Sequence, residues 1–267
     1  MTPAVASTRD ELLEAIFSDD PAPDVQAAVI VSHAGDECLG ASWLLSRLYD
    51  RASVFRLTGP KRNPAPDAIT LTGLPAEHCH ELGLESGTLA HDLETLTWLV
   101  SAAVKAVEPR LLITHAIEGT NLDHDATALA VQLTALLLPR FGGDAPLVLE
   151  FQCVHDGPEP VHGTRRRPDW EQGVRVDFGA DSRRLKAQIL KSHFGPTDII
   201  HRDLLRSETY RAMRPHDVDI ARRTELFARR YHDAPSLSVG ELRTNASRVA
   251  RRFADSGLIA APAISFF

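Results

Sequence analysis

Two stretches of the sequence place metal-binding residue types directly after runs of apolar residues. In VSHAGDECLG (31–40), His33 follows an apolar run and Asp36 comes three residues later. In THAIEGTNLDHDATALAV (114–131), His124 stands where a helical pattern begins. Two histidines and one carboxylate form a ligand set of catalytic zinc sites, which keep one position open for water, and the same set suits non-haem iron. His33, Asp36 and His124 are therefore candidate ligands of one divalent ion.

The order of the predicted elements strengthens this interpretation, because a single histidine is weak evidence in a chain that has 12 of them. Apolar runs predict strands, and apolar residues at helical spacing predict helices. The strands are predicted at 26–32, 53–58, 110–114 and 146–154, and the helices at 36–48, 90–107 and 123–138. This alternation predicts an α/β fold, a Rossmann-like and mainly parallel sheet with helices on both faces. Loops that follow parallel strands open at one edge of the sheet, so the two stretches should meet there.

The remaining segments give weaker patterns. Residues 69–84 predict only mixed turns and short elements, and the polar, Arg-rich stretch 156–180 predicts a surface loop over the site. Three helices are expected to close the chain, the last of them starting at the capping-box residues Ser238 and Glu241. We expect a single domain over 1–267. Its core sheet and metal site are expected in about 25–155, and a loop and helical C-terminal extension in about 156–267.

Composition argues against several classes of protein. A net charge of −7 disfavours nucleic acid as the main partner, and no stretch approaches the ~20 apolar residues of a membrane span. No signal-peptide pattern is seen. Cys38, Cys79 and Cys153 are odd in number and far apart, so a reducing cytoplasm is the expected location. The charge is uneven, with a balance of −12 over 1–150 and +5 over 151–267. We interpret the arginine pairs of the basic half as solvated helix faces; the alternative is an anion site for a phosphorylated or carboxylated ligand.

Both metal-binding stretches resemble motifs of one known family, the LmbE-like or PIG-L metal-dependent de-N-acetylases. VSHAGDECLG is similar to the family's first motif, usually His-Pro-Asp-Asp-Glu after a hydrophobic strand. AIEGTNLDHDATALAV (116–131) is similar to its second motif, commonly Glu-Gly-Gly-His-Pro-Asp-His. Three further segments resemble the family in the same order, so that the resemblance covers roughly 25–215: LTGPKRNPAPDA (57–68), LKAQILKSHF (185–194) and SETYRAM (207–213), the last with Glu208 and Arg211.

The resemblance implies roles for individual residues. His33, Asp36 and His124 match the zinc ligands of the family, and Asp123 matches the aspartate before the last ligand, which orients groups around the site.

Three further positions are assigned from the resemblance. Arg62 and Asn63, in the loop after the second strand, are expected to bind substrate. Asn121 stands where the family commonly has the histidine that stabilises the oxyanion, and an asparagine can still donate a hydrogen bond there.

The sequence departs from the family between the two ligands of the first motif. The family has a general-base aspartate there, and this chain has Gly35. Losing a positioned general base typically costs ~10²–10⁴-fold in rate. Glu37, Glu118 and His115 are candidate replacements. We take His115 as the acid/base hypothesis because it is an addition to the motif, whereas Glu37 belongs to it. The region 73–84 also looks shortened, with no counterpart of the family's arginine-bearing helix.

The resemblance implies a zinc-dependent hydrolase, an N-deacetylase acting on an N-acetylated amino sugar or a related small amide. Gly35 keeps two alternatives open. One is a protein that binds metal and a small ligand without deacetylation, and the other is a repurposed enzyme that uses the metal as a Lewis acid. Zinc is the expected cofactor, with iron or another divalent metal as the alternative. The expected partner is a small, sugar-like or anionic substrate, and a homo-oligomer is compatible with the sequence.

Overall fold

The computed structural model describes residues 9–18, 24–59, 68–141, 145–152, 173–195, 204–213 and 237–259. Within these residues the chain forms seven strands and seven α-helices. The strands are β1 (Ala27–Val31), β2 (Ala52–Thr58), β3 (Cys79–Leu84), β4 (Leu111–His115), β5 (Leu147–Phe151), β6 (Val174–Asp177) and β7 (Ser207–Ala212). The helices are α1 (Arg9–Phe17), α2 (Asp36–Gly40), α3 (Ser42–Leu48), α4 (Leu93–Lys105), α5 (Leu122–Leu137), α6 (Ala180–Phe194) and α7 (Val239–Asp255).

The strands form one sheet in the order β3-β2-β1-β4-β5-β7-β6. The five strands from β3 to β5 are parallel, whereas β7 runs antiparallel to β5 and β6 antiparallel to β7. The predicted α/β fold with a mainly parallel sheet is therefore confirmed. The chain leaves β1 toward β2 on one side and returns to β4 on the other, so β1 and β4 are neighbours at the switch point of the sheet. Their carboxyl ends, which lead to the two motifs, lie side by side.

Helices cover both faces of the sheet, because successive side chains of a strand point to opposite sides. In β1, Ala28 and Ile30 belong to the core shared with α4, α5 and α7. Ala27 and Val29 belong to the core shared with α1, α2, α3 and α6. Every residue of β1 is buried, which explains the continuous apolar run in the sequence.

The helix predicted over 36–48 is divided at Ala41 into α2 and α3. At Gly40 the backbone lies directly on the Phe151 ring, whose Cγ would be 2.6 Å from a Cβ at that position. The Glu208 carboxylate from β7 accepts hydrogen bonds from the backbone N–H groups of Ser42 (3.1 Å) and Trp43 (3.0 Å), which caps the start of α3. The prediction of one continuous helix over 36–48 was wrong. The Glu208 carboxylate, which is distant in the sequence, caps a second helix start at Ser42.

Two weakly patterned regions contain strands. The region 69–84 holds the edge strand β3, whose side chains are half-buried or exposed and so give no apolar run. The C-terminal part adds β6 and β7 to the sheet besides α6 and α7. β6 falls within the loop predicted at 156–180, and most of that loop lies outside the described residues.

The start of α7 matches its sequence pattern. The Ser238 hydroxyl accepts the backbone N–H of Glu241, and the Glu241 carboxylate accepts the backbone N–H of Ser238, so the predicted capping box is confirmed. None of the described helices combines the length and the apolar character needed to cross a membrane.

Candidate metal centre

The first motif forms a tight turn between β1 and α2. The backbone reverses at Gly35, whose φ of +100° lies in the left-handed region that glycine adopts without steric cost. The Asp36 carboxylate accepts a hydrogen bond of 2.8 Å from the backbone N–H of His33, which closes the turn. His33 Nδ1 then lies 3.3 Å from Asp36 Oδ2.

His124 reaches the same point from the second motif. It lies in the first turn of α5, and its Nε2 is 3.3 Å from Asp36 Oδ2. One donor atom from each of His33, Asp36 and His124 lies within 4.8 Å of the other two. The three predicted ligands therefore converge, although they come from two separate loops.

The spacing of these donor atoms fits a single metal ion. Zinc–ligand bonds of about 2.0–2.1 Å in a tetrahedral arrangement separate neighbouring ligand atoms by about 3.3 Å. The two 3.3 Å separations in this cluster equal that value and exceed the length of a usual N–H···O hydrogen bond. Imidazole and carboxylate donors suit both zinc and iron.

Asp123 holds His33 in place from behind. Its Oδ2 lies 3.1 Å from His33 Nε2 and accepts a hydrogen bond from the backbone N–H of Gly87 (2.6 Å). Its Oδ1 accepts the backbone N–H of Leu89 (3.2 Å). A carboxylate on one ring nitrogen of a histidine fixes the ring so that the other nitrogen faces a metal. Gly87 and Leu89 belong to a loop that carries no motif, so no sequence pattern indicated their part.

Two carboxylates determine the electrostatics around His33. Burial lowers the pKa of His33, but hydrogen bonds to Asp123 and Asp36 outweigh this effect and raise it to about 9. Burial raises the pKa of Asp36, yet the neighbouring His124, His115 and His33 hold it well below its usual range. The pKa of Asp123 is also lowered, because His33 and the backbone donors outweigh its burial. Two ionised carboxylates thus flank His33.

His115 lies beneath the site rather than at its surface. Its side chain is fully buried, and its Nε2 accepts a hydrogen bond from the backbone N–H of Ser32 (3.1 Å). The ring stacks on that of His124 with centroids 4.0 Å apart and packs against Phe151 at 5.1 Å. Burial, and then the proximity of His124, lower the pKa of His115 to about 4, so the ring is neutral at pH 7. These contacts indicate that His115 supports the ring of His124. The acid/base role of His115 stays a prediction.

Asn121 and Asp125 shape the second motif around α5. The Asn121 Oδ1 accepts the backbone N–H of His124 (3.1 Å) as the N-cap of the helix. The Asp125 carboxylate accepts the backbone N–H groups of Glu118 (2.8 Å) and Gly119 (2.9 Å) and holds the preceding loop. Asn121 therefore positions the candidate ligand His124, and its role toward an oxyanion stays a prediction.

Glu37 stabilises the turn of the first motif. Its side chain is fully buried, and its Oε1 pairs with Arg56 Nη2 at 2.5 Å. Its Oε2 accepts the backbone N–H of Gly35 (3.1 Å). Burial raises the pKa of Glu37 although Arg56 opposes this shift. Among the replacement bases considered from the sequence, Glu37 is thus committed to structure, and Glu118 is buried.

A histidine from α6 lies over this turn and was not among the predicted site residues. A Cβ built on Gly35 would overlap the His193 ring, with Cδ2 at 2.6 Å, Cε1 at 3.0 Å and Nε2 nearer still. The sequence contains both residues of this contact, Gly35 in the first motif and His193 in the LKAQILKSHF segment. Only the packing of α6 on α2 connects them. Arg62 and Asn63, the predicted substrate-binding residues, lie outside the described residues.

Comparison with known proteins gives matches at the level of structure. No protein-family profile and no curated protein sequence matches the chain significantly. The crystal structure of the A40926 pseudoaglycone deacetylase Dbv21 matches with a TM-score of 0.50 and 17% identity, covering 71% of this chain and 98% of that one.

Two other solved structures have TM-scores just below 0.5. N,N'-diacetylchitobiose deacetylase from Pyrococcus horikoshii has a TM-score of 0.49 and 14% identity over 76% of this chain and 91% of its own. The conserved protein TT1542 from Thermus thermophilus has a TM-score of 0.49 and 20% identity over 66% of this chain and 83% of its own. The chain thus shares its fold with the Dbv21 deacetylase structure.

Proposed function

We propose that this protein is a metal-dependent hydrolase that removes the acetyl group from an N-acetylated amino sugar or a related small amide. The observation that carries the proposal is the convergence of His33, Asp36 and His124, with two donor separations of 3.3 Å, at the switch point of the sheet. Ligands of open α/β sheets bind at that position.

The metal would be held by His33, Asp36 and His124. When bound, a zinc ion at such a site polarises a carbonyl oxygen and lowers the pKa of water to about 7. Zinc is the first candidate and iron the second, because the same donor set serves both. The His33 side chain is 22% exposed, so the cluster is accessible from solvent.

The surrounding residues have separate tasks in the proposed site. Asp123 fixes the orientation of His33 through Nε2, and His115 supports the ring of His124. The Asn121 amide N–H group is suited to donate a hydrogen bond to the oxyanion that forms when water adds to an acetamide carbonyl. Arg62 and Asn63 remain proposed substrate-binding residues.

The substrate class is supported by the structures that share the fold. One is described as the deacetylase of the A40926 pseudoaglycone. A small N-acetylated molecule also suits a solvent-accessible site at the edge of a sheet.

A second candidate function is metal and ligand binding without turnover. Gly35 favours it, because the turn between the ligands carries no acid/base side chain of its own. The same set of measurements decides between the two functions.

The test measures metal and turnover on the same protein. Purified wild type is analysed for zinc and iron and then incubated with N-acetylglucosamine and N,N'-diacetylchitobiose, and release of acetate is followed. One ion per chain and acetate release support the hydrolase, and both should disappear in His124→Ala. One ion without acetate release supports the binding protein, and wild type without any bound metal contradicts both.

A further inference from the structure

We propose that His193 faces the space enclosed by His33, Asp36 and His124 and accepts the proton of the attacking water. The inference rests on the proposed hydrolase function. Its first basis is the position of the ring, which overlaps the place of a Cβ on Gly35, in the turn that carries two of the three donors. His193 is half-buried, so part of the residue is open to solvent.

The second basis is the way α6 is held against that turn. Lys186 and His193 are seven residues apart, and Ile189 and Leu190 lie between them, so all four share one face of the helix. Lys186 is buried and donates hydrogen bonds to the Leu39 carbonyl oxygen of α2 (2.7 Å) and to Glu208 Oε1 (2.5 Å). This anchor fixes the register of α6 on α2, and His193 lies two turns further along the same face.

The third basis is the placement of the other titratable side chains around the turn. Asp123 accepts hydrogen bonds from two backbone N–H groups and contacts His33. Glu37 is paired with Arg56, and His115 is fully buried with its Nε2 bonded to Ser32. His193 is partly open to solvent and contacts the turn that bears His33 and Asp36. It is not itself a candidate ligand of the metal.

The chemistry balances with this residue as base. Water oxygen bonds to the acetamide carbonyl carbon while a ring nitrogen of His193 takes one water proton. The C–N bond then breaks, and the same proton passes to the departing amine. Acetic acid and the free amine leave, and His193 returns to its starting state.

Gly35 is required by this arrangement. Any side chain at residue 35 would take the space of the His193 ring and would also be strained at a φ of +100°. A carboxylate at residue 35 and the imidazole of His193 therefore exclude each other. Gly35→Asp on its own would displace the ring rather than simply add a base.

The first test examines whether His193 lies near the metal ligands, with a measurement that does not depend on catalytic turnover. Wild type, His193→Gln and Lys191→Ala are loaded with Co²⁺, and their cobalt content and visible absorption spectra are compared. Lys191 is the matched control because it is exposed on the same helix. All three should bind one cobalt ion, and the spectrum should change in His193→Gln only. Identical spectra in wild type and His193→Gln would overturn the placement of His193.

The second test reads its role in turnover of N,N'-diacetylchitobiose. His193→Gln should lower kcat by about 10²–10⁴-fold, as expected for loss of a general base, while KM and metal content stay near wild type. Gly35→Ala, which pushes the ring aside, should lower kcat in the same direction. The double variant Gly35→Ala/His193→Gln should lose little more than His193→Gln, because both changes remove one function.

The outcomes separate the two proposals. Unchanged kcat in His193→Gln contradicts the base role while the hydrolase function stands. Absence of acetate release from cobalt- or zinc-loaded wild type contradicts the hydrolase function and the base role. In that case the cobalt spectra still decide whether His193 faces the donors.

Discussion

Two buried carboxylates of this protein have opposite surroundings. Glu208 accepts hydrogen bonds at both oxygens: Oε1 from Ser42 Oγ (2.7 Å) and Lys186 Nζ (2.5 Å), and Oε2 from the Trp43 backbone and the Tyr210 hydroxyl. We call Glu208, Lys186, Ser42, Trp43 and Tyr210 the Glu208 cluster. Asp36 instead has imidazole nitrogens of His33, His115 and His124 at 3.3–3.4 Å. We call Asp36 with these three histidines and Asp123 the Asp36 cluster.

The Glu208 cluster has the surroundings of a structural ion pair, and the Asp36 cluster has those of a candidate ligand site. A buried charge with short hydrogen bonds from every side fixes its neighbours, and in the Glu208 cluster these neighbours are α3, α6 and β7. The imidazole nitrogens around Asp36 lie farther from its carboxylate than the length of a usual hydrogen bond, which leaves room for a ligand. Lys186 of the Glu208 cluster also donates a hydrogen bond to Leu39 of α2, so this cluster positions α6, the helix that carries His193, against the turn that precedes α2.

The largest expected effect comes from removing a donor of the Asp36 cluster. Asp36→Asn should reduce the metal content from about one ion per chain to near zero, because a neutral amide replaces the ionised ligand. Metal content is measured by elemental analysis after dialysis. Glu208→Gln, compared at equal folded fraction, should keep its metal. If Glu208→Gln lost metal to the same extent, the division of roles between the clusters would be wrong.

The next effect concerns stability and belongs to the Glu208 cluster. Lys186→Met should lower the free energy of unfolding by about 3–5 kcal/mol, because it leaves the Glu208 charge buried without its cation. Denaturant unfolding of the metal-free protein measures it. In Lys186→Met/Glu208→Gln the loss should be smaller than the sum of the single losses. A change below about 1 kcal/mol in Lys186→Met would mean that the pair does not hold α6.

A smaller effect is expected at the carboxylate behind His33. Asp123→Asn should weaken zinc affinity about 10–100-fold, since the amide orients the imidazole less well than the carboxylate does. Competition with a chelator of known affinity gives the ratio. Asp125→Asn is the matched control, because Asp125 is a carboxylate of the same helix turn that holds the 118–119 loop through two backbone hydrogen bonds. Equal weakening in both variants would assign the effect to the loop.

The smallest expected effect is at the cap of α5. Asn121→Ala should cost about 0.5–2 kcal/mol of stability, and Asn121→Ser, which can still cap the helix, should recover most of it. Thermal or denaturant unfolding measures both. If acetate release falls far more in both variants than stability explains, the amide N–H group of Asn121 also acts on the substrate.

The sequence determined the four central strands of the sheet and the candidate ligands. Fully buried parallel strands read as continuous apolar runs, so β1, β2, β4 and β5 were found close to their observed bounds. The topology of such a sheet then brings the ends of β1 and β4 together, and with them His33, Asp36 and His124. These are local patterns, which can be recognised from the sequence alone.

Only the tertiary structure decided the rest, because the deciding contacts join distant segments. The break at Ala41 depends on the Phe151 ring and the Glu208 carboxylate, and the cradle of Asp123 depends on Gly87 and Leu89. No apolar run marks the other three strands, because the side chains of β3 and β6 are half-buried or exposed and the buried residues of β7 include the polar Ser207 and Glu208. The contact of His193 with Gly35 spans most of the chain, so no spacing rule could reveal it.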